Sequence, residues 1–294
     1  MTIYVPATSA NLGAGFDSLG VALKFYNRVE IAPSRIFSLS IRGEGEKMLK
    51  ARGNNVFIDI FNSVYERLTG EIGVFRFHFF NQIPLSRGMG SSSAVIVSAI
   101  YSAYAAAKCA IDKHEILNEA VLYERHPDNI TPATFGGFCV AALEGGKVRH
   151  ICTQLDPDLR AVMVIPNKPL STRQSRAVLR QKVKLEDAVF NLSRSSLLTA
   201  ALMTKNYDLL RCASQDRFHQ EVRMRLLPAL FEVQKTALGS GALMSTLSGS
   251  GSSFFNLAQN GDQAQKIASD LAKRFGAFRV EILEFDTLGT HSKE

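Results

Sequence analysis

Pro84-Leu85-Ser86-Arg87-Gly88-Met89-Gly90-Ser91-Ser92-Ser93-Ala94 runs straight into an apolar, alanine-rich stretch. A glycine-serine loop opening onto a helix is the simplest anion site a chain can build. Gly88 and Gly90 carry no Cβ, so a ligand can come close to the backbone. Ser91, Ser92 and Ser93 stand where the N-cap and first turn belong, and the N–H groups there have no intrahelical acceptor. The helix dipole adds partial positive charge at that end, which suits a polyphosphate.

Two further glycine-rich segments flank this one at a distance, Pro6–Gly20 and Leu247–Ser253. The last reads Leu-Ser-Gly-Ser-Gly-Ser-Ser between apolar runs. It is either a tight turn or bulge, or a place where backbone crowds a ligand or another loop. Rival phosphate motifs fail. No Gly-Lys-Ser or Gly-Lys-Thr is present for a Walker A loop, and a dinucleotide fingerprint starting at Gly13 meets Ser18 where glycine or alanine is needed. The Gly-x-Ser-x-Gly elbow, the protein-kinase signatures and a zinc-type His pair are also missing.

Alternation predicts strands at Phe37-Leu39-Ile41 and Phe75-Phe77-Phe79. Phe138–Leu143 and Val148–Ile151 read as a hairpin around Gly145-Gly146. Helices are expected over Val56–Leu68, Ser92–Lys108, Lys113–Tyr123 and Asp262–Phe275. Helical patterns also dominate Leu185–Leu238, with Val189, Leu192, Ser196 and Ala200 at spacings of three and four. Arg160–Ile165, Leu243–Ala258 (interrupted) and Phe278–Phe285 read as strands. Leu288–Glu294 reads as a frayed end. Mixed strands and helices without strict βαβ alternation argue for an α+β fold in two lobes. The boundary falls at a composition shift near Asp156, giving domains 1–155 and 156–294.

The 294 residues carry a net charge of +7, with Lys and Arg scattered and no block of five like charges. This fits an anionic substrate and argues against nucleic acid. Cys109, Cys139, Cys152 and Cys212 show no metal spacing and read as small buried residues in a reducing compartment. The opening residues lack the basic region of a signal peptide. Ala94–Ala107 is shorter than the roughly 20 residues of a membrane span. A cytoplasmic protein with no membrane partner is expected.

Taken together, the three motifs resemble the GHMP kinase superfamily, small-molecule kinases that bind ATP through a Pro-x3-Gly-Leu-Gly-Ser-Ser loop; Met89 stands at the leucine position. Within it, Pro6-Ala7-Thr8-Ser9-Ala10-Asn11-Leu12-Gly13-Ala14-Gly15-Phe16-Asp17-Ser18-Leu19-Gly20 and His126-Pro127-Asp128-Asn129 are similar to the homoserine kinase family. Arg125 and Ser252 depart from that family's usual glycine and proline. The resemblance spans essentially the whole chain. It implies a ribosomal-protein-S5-like N-terminal β/α lobe, a ferredoxin-like α+β C-terminal lobe, and a homodimer. It also implies ATP-dependent phosphorylation of L-homoserine to O-phospho-L-homoserine, a step of threonine biosynthesis. A sister kinase acting on mevalonate, a sugar or a diphosphocytidyl polyol is the alternative, although such relatives commonly carry an early lysine where this chain has Ala7 and Asn11.

The resemblance also implies roles. The backbone from Pro84 to Ala94 wraps the ATP phosphates, and Ser92 with Glu124 holds Mg²⁺, an ion that keeps several waters and needs few protein ligands. Asn55, in Gly53-Asn54-Asn55-Val56, approaches the adenine end or simply caps the next helix. Arg176 and Arg223 clamp the α-carboxylate of the amino acid, since their forks are bidentate. Asp17 accepts from the ammonium or lies near the hydroxyl. Asn11 and Asn129 orient the substrate, with Thr172 and Gly249 lining the pocket. Asp17 is the one carboxylate nominated as a general base. Otherwise the hydroxyl proton passes to the γ-phosphate itself.

Overall fold

The computed structural model describes residues 1–46 and 55–293, so Gly53 and Asn54 of the segment around Asn55 lie outside the described residues. In chain order the elements are β1 (Thr2–Ala10), β2 (Leu19–Pro33), β3 (Ser38–Gly43), α1 (Val56–Thr69), β4 (Phe75–Asn81), α2 (Ser91–Ala106), α3 (Lys113–Ala120), α4 (Pro127–Phe135), β5 (Phe138–Glu144), β6 (Lys147–Thr153) and β7 (Arg160–Ile165). Then come α5 (Thr172–Ala177), α6 (Leu185–Met203), α7 (Leu210–Ala213), α8 (Gln220–Met224), α9 (Ala229–Gly239), β8 (Met244–Leu247), β9 (Phe254–Ala258), α10 (Gly261–Arg274), β10 (Arg279–Leu283) and β11 (His291–Lys293).

Two sheets organise these elements. The first has the order β11-β1-β2-β4-β3, with a β5–β6 hairpin branching from β2. The branch is possible because β2 is 15 residues long. Its start pairs with Phe138–Val140, while Arg28–Pro33 pair with β4. Phe75, Phe77 and Phe79 point inward from β4 onto Phe57 and Phe61 of α1. Helix α2 is buried nearly all round, as expected of a helix apolar on every face. The hairpin turns on Gly145 and Gly146, both at positive φ, the backbone a two-residue turn requires.

The second sheet is antiparallel in the order β10-β7-β9-β8. Counting its strands along the chain, this is the 4-1-3-2 order of a ferredoxin-like lobe. Helices α9 and α10 cover one face, burying Leu230, Val233, Ile267 and Leu271 against Val162, Val164 and Phe254. The other face turns Ala161, Met163 and Ile165 into the larger core. With both faces buried, β7 reads as a continuous apolar run rather than an alternating one.

Three expectations are corrected. Val189, Leu192, Ser196 and Ala200 do form one face of α6, but that face is exposed. The helix instead buries Asn191, Leu198, Ala201 and Leu202. Asn191 sets its rotation: the side chain donates to Asp216 at 2.7 Å and accepts the Arg217 N–H at 2.9 Å. Of the cysteines, Cys139 is buried, Cys109 and Cys152 are half-buried and Cys212 is exposed. The closing residues are not frayed, because Lys293, Ser292 and His291 pair with Thr2, Ile3 and Tyr4. That strand returns residues of the expected second domain to the first sheet.

Candidate active site

The loop before α2 is shaped by what surrounds it. Gly90, not a serine, occupies the N-cap position, with φ 69° and no side-chain cap. Ser91, Ser92 and Ser93 therefore form the first turn, and their N–H groups face the opening. A Cβ on Gly90 would stand 1.9 Å from Thr8 Oγ1, and one on Gly88 would stand 2.1 Å from the Ser248 carbonyl. Glycine is needed here for close backbone packing as well as for φ.

The third glycine-rich segment is what crowds Gly88. Ser248 Oγ lies 2.6 Å from the Gly88 carbonyl, and the Ser253 N–H donates to the Arg87 carbonyl at 2.8 Å. Arg87 ties the loop to the second lobe, its guanidinium donating to the carbonyls of Pro166 (2.8 Å) and Asn167 (2.6 Å) as well as to that of Leu85 in the loop itself (3.1 Å). The second lobe thus holds the loop in place. Pro84, Met89 and Ala94 pack their side chains into the core, leaving Leu85–Gly88 and Gly90–Ser93 to line the opening.

The opening is a cleft of about 570 Å³. One end is lined by Asn27, Ile41, Asn55, Val56, Phe57 and Phe79, an apolar slot of the kind a purine ring fills. Asn55 is the helix cap that one of the two readings expects. It lines the slot and caps α1, its Oδ1 accepting the Phe57 N–H at 3.0 Å. At the other end Asn11, Asp17, Asn129, Thr172, Arg176, Arg223 and Gly249 all line the same cleft.

The Asn11–Asp17 loop is a strained turn. Asn11, Leu12 and Asp17 sit at φ 69°, 48° and 55°, a region that residues other than glycine occupy at a cost of about 1–2 kcal/mol each. Side-chain hydrogen bonds offset this. Asn11 Oδ1 accepts the Asp17 N–H, and its Nδ2 donates to the Gly249 carbonyl, both at 3.0 Å. Asp17 receives both arms of Arg176, at 2.7 and 3.2 Å. Among the described residues, the buried Arg176 Nε has no protein acceptor.

Arg223 is 2 % exposed and donates to the carbonyls of Ser175 (3.2 Å) and Gly249 (3.1 Å). Burial, with the Arg176 charge nearby, brings its pKa down to about 10, so it stays cationic at neutral pH. The Phe16 ring lies 5.6 Å from the Arg176 guanidinium and 5.3 Å from that of Arg223. An aromatic face between two cations lowers their mutual repulsion.

Three acidic or basic groups come from the end of the turn after α3 and the start of α4. Burial works against the charge of Glu124, but hydrogen bonds from the His126 ring (2.5 Å) and N–H (3.2 Å) hold its carboxyl below the ordinary range. The hydrogen bond to Glu124 pushes the His126 pKa up in return. Asp128 is the opposite case: burial, then the Asp17 charge, push its pKa up to about 7. It accepts a long hydrogen bond, 3.4 Å from Asn129 Nδ2. A buried carboxyl poised near neutrality in a cleft is a ready acceptor for an ammonium group. Asn129 itself is oriented by Thr8, whose hydroxyl donates to Oδ1 at 2.7 Å, and the residue lines the cleft.

Apart from Pro84, Met89 and Ala94, the expected residues share one cleft, with Ser92 and Glu124 both on its wall. Motifs alone do not single out Thr8, His126, Asp128 or the pair Asp216–His219. The first three lie inside the quoted motifs. Asp216 and His219 lie in the segment that leads into α8, with His219 at its N-cap position, and Arg223 follows within the helix, so helical spacing does not link the three. Among the described residues no three His, Cys, Asp or Glu side chains converge as a metal cage. Glu124, held in its charged form, and the Ser92 hydroxyl both line the cleft and fit a magnesium ion that takes its other ligands from phosphate and water.

Comparison with known proteins gives two family matches: GHMP kinases N terminal domain over residues 55–137 and GHMP kinases C terminal over residues 194–277. A homoserine kinase of a Nitratiruptor species is 56% identical over 289 residues, 98% of each chain. The crystal structure of homoserine kinase from Cytophaga hutchinsonii superposes with a TM-score of 0.89 at 26% identity, covering 99% of this chain and 96% of that one. A looser match is L. major mevalonate kinase, solved with R-mevalonate. It gives a TM-score of 0.74 at 17% identity over 97% and 95% of the two chains, a likeness of fold alone.

Proposed function

Since the chain belongs to the homoserine kinase family of GHMP kinases, we propose that it transfers the γ-phosphoryl group of ATP to the side-chain hydroxyl of L-homoserine. The observation that carries this reading is the single cleft. A helix N-terminus for phosphates and two arginines with a buried carboxyl for a zwitterion line the same space.

In this reading the purine lies against Phe57 and Phe79, and the phosphates take the N–H groups of Gly88–Ser93. Ser92 and Glu124 hold Mg²⁺, which supplies charge neutralisation at the phosphates when bound. Arg223 and Arg176, which both line the cleft, take the α-carboxylate, while Asp128 takes the ammonium group. This moves the ammonium role from Asp17, whose two oxygens are already engaged by Arg176. Asn129 presents its NH₂ to the substrate hydroxyl. The same engagement argues against Asp17 as general base. The hydroxyl proton then passes to a γ-phosphate oxygen, which a loose, metaphosphate-like transition state permits because the nucleophile needs little activation. Asp17 acts by holding Arg176.

We further place the reaction in the cytoplasm and the protein as a homodimer, with light scattering as the check on assembly. No described helix is long and apolar enough to cross a membrane. A panel of L-homoserine, mevalonate, sugars and a diphosphocytidyl polyol, read by ADP release, tests the substrate. Turnover with homoserine alone is expected, and its failure with homoserine would overturn the proposal.

A further inference from the structure

Cys139 and Cys152 stand directly opposite one another on β5 and β6, and their Sγ atoms are 2.6 Å apart. Residues opposite each other in an antiparallel pair have Cα atoms about 4.5–5.5 Å apart, inside the range a disulfide accepts. The two thiols occupy different surroundings. Cys139, on the inner strand, is 1 % exposed, and its thiol donates to the Gly136 carbonyl at 3.3 Å. Cys152 is half-buried on β6, which pairs with β5 at the end of the branch. One sulfur can meet an oxidant from solvent, and the other waits behind it.

We propose that a hydroperoxide converts Cys139 and Cys152 to a cross-strand disulfide, making this hairpin a reversible oxidation site. The Cys152 sulfur attacks one peroxide oxygen. An S–O bond forms as the O–O bond breaks, giving a sulfenic acid and, from hydrogen peroxide, one water. The Cys139 sulfur then displaces that hydroxyl. The S–S bond forms, the S–O bond breaks, and the hydroxyl leaves with the Cys139 thiol proton as a second water. The two thiols lose two electrons in all, and the peroxide gains them. A small dithiol returns both sulfurs to thiols by exchange. Reversible pairs of this kind are the form disulfides usually take inside reducing compartments.

The pair sits beneath the substrate loop. Cys139 pairs with Gly20, and the Ala141 N–H and carbonyl both bond to Ser18, the neighbour of Asp17. Oxidation would fasten the hairpin that carries this loop, whatever reaction the cleft performs.

The test uses the full chain carrying Cys109→Ser and Cys212→Ser, treated with hydrogen peroxide. Expected are the loss of both remaining thiols to maleimide, a monomer mass lower by two hydrogens, and a higher Tm from closing the 139–152 loop, all reversed by dithiothreitol. Peptide mapping of the unsubstituted protein should give the same Cys139–Cys152 link. Adding Cys152→Ser should abolish the mass loss and the rise in Tm. Two thiols that stay reactive, a mass raised by oxygen without a link, or a link between chains would each overturn the proposal.

Discussion

His219 and Arg223 meet side chain to side chain in the interior: Arg223 Nη1 lies 3.2 Å from His219 Nδ1, while His219 Nε2 lies 2.8 Å from the Gly13 carbonyl. A guanidinium only donates and a carbonyl only accepts, so the imidazole must be neutral, with its proton on Nε2. Burial pushes the His219 pKa down, in the same sense. Asp216 supports the arrangement, accepting the N–H groups of Phe218, His219 and Gln220.

If His219 aims Arg223, then His219→Ala should raise the KM for homoserine by roughly 10-fold, the scale of one buried hydrogen-bond partner lost. The KM for ATP should not move. Asn can keep the acceptor near Nδ1, whereas Gln reaches only toward Gly13. His219→Asn should therefore restore homoserine binding better than His219→Gln; equal KM values would remove the residue from this role.

Asp128 titrates near pH 7, and an ammonium ligand needs it ionised. Homoserine should bind more tightly as pH rises from 6 to 8, by up to about tenfold per unit below that pKa. The sign for stability is reversed. A carboxyl whose folded pKa is raised contributes stability that is present below pH ~4 and lost as pH climbs through about 7. Asp128→Asn should flatten the homoserine pH profile and raise Tm at pH 8. Calorimetric titration and melting curves across that range check both halves.

Gly90 and Gly70 offer a matched comparison. Both sit at left-handed φ, 69° and 74°, but a Cβ on Gly70 meets nothing within 4 Å. Gly70→Ala should cost about 1 kcal/mol of stability and leave ATP binding alone. Gly90→Ala should cost more, displace Thr8, and weaken ATP binding. Equal effects at the two sites would contradict the packing argument.

Arg176→Ala should weaken homoserine binding by about 2–5 kcal/mol, the range for truncating one partner of a buried charge pair. Asp17→Asn should weaken it less, since the fork loses an anchor but keeps its charge. Arg176→Lys should resemble Arg176→Ala more than the parent, because an ammonium cannot replace a fork. Steady-state KM values decide the order.

Glu124→Gln should raise the Mg²⁺ concentration needed for half-maximal rate and lower kcat, with homoserine KM unchanged. An unaltered magnesium dependence would exclude Glu124 from the metal site.

Local patterns make much of this legible in the sequence. The phenylalanines of β4, the hairpin at Gly145-Gly146 and the loop before α2 are each decided by neighbouring residues. What the sequence hides depends on distant partners. The rotation of α6 follows Asn191 and its bonds to Asp216 and Arg217, which no apolar count reveals. Asp17 reads as a free carboxylate because its pairing with Arg176 spans 159 positions. Asp128 is inconspicuous beside Asn129, since its chemistry comes from burial rather than from its spacing.

The pairing of β11 with β1 sets an order of events during synthesis. Thr2–Tyr4 leave the ribosome well before their outer partners Lys293, Ser292 and His291. Contacts this remote form late. The sheet edge next to the strand that feeds the Asn11 turn must wait, uncovered, until translation has passed both lobes.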